Sequence, residues 1–334
     1  MFTPNTQRIV PGAGNLNAKI CIIGEAPGSE EDRLLRPFVG PAGTVLDSCL
    51  HAAGITRQDC YITNTIKVRP RNNDIELYFN SRTGTFTPAG AEWLTMLGDE
   101  LSNVRANVLV PLGSVALAAL TGRKSIAKYR GYVFESLQEY GRRKVIGAYH
   151  PAATLRGQYI LRYYITADLR KAKAEADFPE IRRPERNIVV PTTIGECRDW
   201  AEAILAAEHY TCDIEVENFE VSAIGFALDT HTAVSFPLTK NTWTEAEEVA
   251  IWKMLNTILN TKAQKRFQNG VFDIAFLATQ CGIHVQPPIE DTMIAHSVMY
   301  PEMLKGLGFL GSMYCGSQAY WKDMVKFDNI KDES

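Results

Sequence analysis

A chain of 334 residues, 46% hydrophobic and 22% charged, has an ordinary globular composition and a length that favours two domains. No apolar run is long enough to cross a bilayer, and the N-terminus lacks the apolar core of a signal peptide. Seven cysteines without a CxxC pair point to reduced thiols, so the expectation is a cytoplasmic protein with no membrane partner. The net charge of −3 conceals an asymmetry: residues 1–187 carry 25 Lys and Arg against 18 Asp and Glu, and residues 188–334 carry 10 against 20. A basic front half suits a surface that tracks phosphates.

In chain order, Lys19–Gly24 predicts a buried strand that runs into a Pro- and Gly-rich loop. A helix follows at Thr44–Ala53, a strand at Tyr61–Thr65, a helix at Trp93–Leu101 and a strand at Asn107–Leu112. Gly113 then leads into a helix at Ser114–Leu120. A strand at Lys144–Ala148 ends near His150, and a long basic helix covers Tyr159–Glu175. This alternation predicts a parallel α/β sheet, whose ligands bind beyond the carboxyl ends of the strands. The charged, proline-punctuated stretch 178–187 reads as a linker between a domain at 1–177 and another at 188–334. In the latter, strands are expected at Thr211–Val216, Ala223–Leu228 and Ala233–Pro237, and helices at Glu245–Leu259, Phe272–Cys281 and Asp291–Met299.

The loops of the first domain carry chemistry. Gly24-Glu25-Ala26-Pro27-Gly28 permits a tight turn with a carboxylate at the strand end. Phe38, between Pro37 and Gly40, is a stacking platform for a base. Asn64 offers a donor and an acceptor on one amide, which suits a pyrimidine edge. His150, fixed by Pro151, can donate to an oxygen that gains negative charge. Taken together, these motifs resemble the uracil-DNA glycosylase superfamily, in particular its fourth, GEAPG-type class, from about Arg8 to Leu169. The resemblance rests also on Val10–Asn15, Glu30-Glu31-Asp32, Pro37–Gly43, Ile62–Pro70 and His150–Ala153.

That resemblance implies a three-layer α/β/α domain that cuts the N-glycosidic bond of uracil in DNA, with the base flipped into a pocket. It implies that Gly24 and Ala26 shape the pocket, Phe38 stacks, Asn64 reads the edge, and Glu31 fills the space of thymine's methyl. It further implies that Glu25 places the attacking water, His150 stabilises uracil O2, and Leu155 and Arg156 engage the duplex. Members of the class usually hold an iron–sulfur cluster through four cysteines. Here no cysteine precedes Cys21, Val68 stands at the third place and Gly90 or a neighbour at the fourth, so no cluster is expected. Cys21, Cys49 and Cys60 read as small buried hydrophobes.

In the second domain Asp213 and Glu215, two apart on a strand, face one side, and Asp273 opens a helix after Asn269. Three converging carboxylates can hold Mg²⁺ or Mn²⁺ at a phosphodiester. Residues 188–334 resemble the 3′–5′ proofreading exonuclease domain of family A DNA polymerases, an RNase H-like fold. The matching segments are Asp213 to Glu215, Asn269 to Asp273, Glu290–Met293 and Leu304–Gly316. The third motif of that family, Tyr-x-x-x-Asp, is missing, because Tyr320 and Asp323 are spaced wrongly by one residue. The resemblance therefore implies a partial exonuclease domain with impaired activity, fused behind a glycosylase as in a phage DNA polymerase. The remaining polymerase polypeptide would be its partner. The expected function is DNA-uracil excision. The alternative is a module that recognises uracil or a modified base without cutting.

Overall fold

The structure is a computed structural model that describes residues 8–316. The chain divides into two compact units. One runs to Arg183 and takes up the chain again from Gly308; the other is Pro184–Leu307.

The first unit is built on six strands: β1 (Ala13–Gly14), β2 (Ile20–Gly24), β3 (Cys60–Asn64), β6 (Val108–Pro111), β7 (Val133–Glu135) and β8 (Lys144–Ile146), in the order β1-β3-β2-β6-β8-β7. A small hairpin of β4 (Phe79–Asn80) and β5 (Thr85–Phe86) lies outside that sheet. The central four strands are parallel, and β1 and β7 close the edges antiparallel. Strand side chains alternate between the two faces. Ile20, Ile22, Ile62, Val108 and Val110 pack under helices Pro41–Ala52 and Leu161–Glu175. Cys21, Ile23, Tyr61, Leu109 and Val145 pack under helices Pro88–Ser102 and Ser114–Thr121. Helices on both faces of one sheet make the three layers expected. The sheet's order changes direction at β2, and a crevice beyond the strand ends opens there.

The sequence reading ends this domain at 177, but the structure carries it further. Phe178 lies under the cations of Lys144 and Arg182, 3.6 Å and 3.8 Å from its ring centroid, so the start of the expected linker is packed. Helix Leu307–Tyr314, which the resemblance places with the second domain, packs from Gly308 onward into the first unit. Lys171 donates to the carbonyls of Gly131, Ser312 and Cys315, each at 2.7 Å. Arg130, ion-paired with Asp168, donates to Ser312 Oγ at 2.9 Å, and Phe309 meets the Tyr164 ring edge-on at 5.1 Å. A buried ion pair needs every donor satisfied, and this segment supplies acceptors.

The second unit is a sheet of β9 (Asn187–Val189), β10 (His209–Glu217), β11 (Glu220–Ala227), β12 (Thr232–Pro237), β13 (Gln264–Phe267) and β14 (Ile289–Asp291), ordered β14-β13-β10-β11-β12-β9. Strand β11 runs antiparallel to β10 and β12, whereas β13 and β14 run parallel to β10. Taking β10 to β14 as strands one to five gives the order 3-2-1-4-5 of the RNase H-like fold. Helices Ile194–Ala206 and Glu245–Leu259 bury Cys197, Ala201, Ile204, Ile251, Leu255 and Ile258 against Tyr210, Cys212, Ile214 and Phe226 of the sheet. No described helix is long and apolar enough to cross a membrane.

Candidate active site

A pocket of about 330 Å³ opens beyond the ends of β2, β3 and β8. Of the residues singled out in the sequence, Glu25, Ala26, Glu31, Phe38, Asn64, His150 and Arg156 line it together. Gly24 lies behind: a Cβ there would stand 2.3 Å from Asn64 Oδ1 and 2.6 Å from the Phe38 ring. A glycine at this place lets the reading amide and the ring close up. Leu155, 52% exposed, stands outside the lining on the short helix Pro151–Arg156.

His150 follows a parallel bridge from Leu112 to Ala148 that extends the pairing of β6 and β8. Gly113, at φ +90, holds the neighbouring turn; a Cβ there would come within 3.3 Å of His150 Cβ. The Ala152 amide donates to His150 Nδ1 at 3.2 Å. Burial, aided by the Arg156 cation, pushes the imidazole down from 6.5 to about 4, against the pull of Glu31. The ring is therefore neutral near pH 7, with its proton on Nε2. Glu25 is held above the ordinary carboxylate range by burial, partly offset by Arg156.

Glu31 is a clamp between loops. Its Oε1 accepts from the Val39 and Gly40 amides at 2.9 and 2.7 Å, and its Oε2 accepts from the Gly28 amide at 3.1 Å. Phe38, at φ +52, adopts a left-handed backbone that costs a non-glycine residue energy. The clamp on the next two amides holds that turn, and the Phe38 ring lies 5.7 Å from the His150 ring.

Two features escaped the sequence reading. Behind Asn64, the buried Lys67 ammonium donates to Thr63 Oγ1 at 2.6 Å and to the Asn64 carbonyl at 2.7 Å, and pairs with Glu100. Glu100 also accepts from Tyr61 Oη at 2.9 Å and from the Gly12 amide at 3.1 Å. Gly12, Thr63, Asn64 and Lys67 lie in segments quoted for their motifs and Tyr61 directly precedes one, but nothing in the spacing brings Glu100 and helix Pro88–Ser102 to them. The second is Asn73, which lines the pocket from the loop after Pro70.

The residues at the places where the class holds its iron–sulfur cluster do not fit one. Val68 is buried with Ile66 and Tyr78, and Trp93 and Phe86 pack on them, so carbon fills that region. Cys49 and Cys60 lie in the core on one face of the sheet and Cys21 on the other.

In the second unit β10 alternates, with Cys212 and Ile214 buried and Asp213 and Glu215 on the solvent-facing side. Asp273 is buried, and its Oδ1 accepts from the Ile214 amide at 3.0 Å. Close packing around its carboxyl, then Asp273 and Glu215, push Asp213 up to about 6. Burial likewise raises Asp273, and Asp291 adds to this. Asp291, absent from the expected set, accepts from the Asn269 and Gly270 amides at 3.3 and 2.7 Å and caps helix Thr292–Met299. Oxygen donors that raise one another suit a hard divalent cation. Among the described residues, however, no three His, Cys, Asp or Glu side chains are gathered closely enough to hold a metal, so these carboxylates are not a finished centre. Tyr320 and Asp323 lie outside the described residues.

Comparison with known proteins finds two families along the chain. The family model of the uracil DNA glycosylase superfamily matches residues 11–172, and that of the 3′–5′ exonuclease matches residues 188–331. A type-4 uracil-DNA glycosylase of Thermotoga maritima is 39% identical over 173 residues, which cover 51% of this chain and 84% of that protein. A DNA polymerase of Bacillus phage SP01 is 24% identical over 333 residues, covering 90% of this chain but 34% of the polymerase. Among solved structures, Escherichia coli RNase D matches at a TM-score of 0.33 and 18% identity, over 40% of this chain and 35% of that one. The chain belongs to the uracil-DNA glycosylase superfamily, as a homologue of its type-4 members fused to a 3′–5′ exonuclease domain.

Proposed function

We propose that the first unit excises uracil from DNA by hydrolysing the N-glycosidic bond. The observation that carries this reading is the convergence of Glu25, Phe38, Asn64 and a neutral His150 on one pocket of about 330 Å³. Phe38 stacks on the flipped base, and Asn64 presents its amide to the O4 and N3 edge. As the C1′–N1 bond breaks, its electron pair moves onto the base, and charge gathers on O2. His150 Nε2–H donates to that oxygen, and a neutral imidazole does so without surrendering its proton. Glu25 orients the water that adds to C1′, and the proton that water loses neutralises the uracil anion, so neutral uracil departs and an abasic sugar remains. Glu31 and Gly24 keep the pocket too tight for a methyl on C5. Leu155, exposed beside the pocket, and Arg156 engage the duplex from which the base has left.

The same reading assigns Asp213, Glu215 and Asp273 as the residues that would hold Mg²⁺ or Mn²⁺ in the second unit. The cation supplies charge neutralisation at a phosphodiester. Weak cleavage is the expectation, since Tyr320 and Asp323 do not have the Tyr-x-x-x-Asp spacing in the sequence. A labelled oligonucleotide with one uracil tests both halves. After incubation in EDTA and alkali treatment, a single break at the uracil marks excision. A ladder that needs Mg²⁺ marks exonuclease action, and retention without any break marks a recognition module.

A further inference from the structure

We propose that Lys67 and Glu100 are positioning residues for Asn64: from the far face of the sheet they fix its main-chain carbonyl, and with it the amide that meets the base. This rests on the reading of the pocket as a uracil-excision site. Side chains alternate along β3. Asn64 lines the pocket with Phe38, and Tyr61 packs on the opposite face, under helix Pro88–Ser102. Thr63 shares the Tyr61 face, and Glu100 of that helix reaches its hydroxyl. The Lys67 ammonium joins the two sides. It donates to Thr63 Oγ1 at 2.6 Å and to the Asn64 carbonyl at 2.7 Å, and it pairs with Glu100. An ammonium has three protons, so all three are committed and its direction is set.

Glu100 is itself anchored. Tyr61 Oη donates to it at 2.9 Å, the Gly12 amide at 3.1 Å and Thr63 Oγ1 at 3.0 Å. A carboxylate held by three further donors does not follow a moving lysine. Stability alone does not account for the pair. Burial pulls the Lys67 ammonium below its ordinary range, against the pull of Glu100, and an apolar pair of the same volume is often as stable as a buried ion pair. What the charges add is a fixed carbonyl. Asn64 is then held at both ends, because its Oδ1 also lies so close to Gly24 that a Cβ there would stand 2.3 Å away. A shift of the strand end moves the amide with it, and a misplacement of about 1 Å can cost 10²-fold in rate.

The test uses the full chain and single-turnover excision from a duplex with one uracil. K67M should slow excision about tenfold or more, the effect of losing one hydrogen bond from a charged donor. E100Q keeps an oxygen for Tyr61 and Gly12 but sets an NH₂ against the ammonium, and should slow excision and lower the melting temperature. K67M/E100Q leaves no buried charge unpaired. It should melt closer to the wild type than E100Q does, yet excise as slowly as K67M. The deciding readout is a double-mutant cycle with N64A. In the N64A background K67M should change the rate less than about twofold, because the residue it acts through is gone. A lysine that only supports the fold would slow N64A as much as it slows the wild type, and that result would overturn the proposal. Wild-type excision in K67M/E100Q would overturn it too. A wild-type protein that binds the uracil duplex without cutting it fails the underlying reading instead. The same cycle, run on uracil-duplex affinity by fluorescence anisotropy, then decides the positioning: K67M weakens binding in the wild-type background and not in N64A, or the proposal falls.

Discussion

The Ala152 amide points its hydrogen at His150 Nδ1, 3.2 Å away, and so decides which imidazole nitrogen carries the proton. The outward-facing Nε2–H is the only electrophile this ring can offer at neutral pH, because burial holds its ionisation near 4. His150→Ala should therefore slow excision by about 10² to 10³, the usual loss for one oxyanion donor. Single-turnover kinetics on a uracil duplex reads this directly, and an unchanged rate removes His150 from the chemistry.

The same depressed ionisation makes a stability prediction. The unfolded chain protonates this histidine near 6.5 and the folded chain near 4. Between those values the unfolded state binds more protons, so stability rises with pH across that window and is fully present above 6.5. Acidification from pH 6.5 to 4 should cost about 1–3 kcal/mol through this group. In urea titrations, His150→Asn should flatten that part of the pH profile.

Asn64→Asp replaces the side-chain NH₂, which the proposed reading sets against the base, with an oxygen. Uracil excision should collapse by at least about 100-fold, and a cytosine duplex should become the better competitor. If the order of preference stays at uracil before cytosine, the amide does not read the edge.

Glu31→Gln keeps the size of the side chain but sets an NH₂ against one of the backbone donors at Gly28, Val39 or Gly40. A mismatched buried donor costs about 1–3 kcal/mol. The variant should melt at lower temperature and excise more slowly, because Phe38 loses the clamp on its left-handed turn, and thymine should stay excluded. Acceptance of thymine without loss of stability would show that Glu31 is a steric guard alone.

In the second unit, a cation taken up at Asp213 would have to displace a proton, because the ionisation of this carboxyl is pushed up to about 6. Mg²⁺ uptake measured by calorimetry should therefore weaken as pH falls from 7.5 to 5, and Asp213→Ala should abolish it. Uptake that ignores pH would place the cation elsewhere.

Most of the pocket was legible because its residues sit at the ends of apolar strands, where a short hydrophobic run and a Gly or Pro turn mark both the strand and its exit. Asn64, His150 and the glycine loop all obey that rule. The β4–β5 hairpin, the strand at Gln264–Phe267 and the Asn73 loop do not. Their sequences are short and mostly polar: the hairpin is set by Phe86 packing on Ile66 and Val68, the strand by pairing with β10 and β14, and the Asn73 loop by its own turn with Arg69 and Pro70. The apolar run of helix Leu307–Tyr314 was readable, but its allegiance was not, since that depends on buried Arg130, Asp168 and Lys171. Glu31 shows the same limit: its place in the motif was visible, but its three amide partners depend on how two loops fold over it.

The central claim is that Glu25, Phe38, Asn64 and His150 act as one uracil-excision site. The most direct measurement is release of free uracil from a duplex with one labelled uracil, in EDTA, followed by chromatography. The expected result is stoichiometric uracil and an alkali-labile site, both formed about 10² to 10³ times more slowly in His150→Ala. A duplex that is bound tightly yet returned intact, with no free uracil after prolonged incubation, would contradict it.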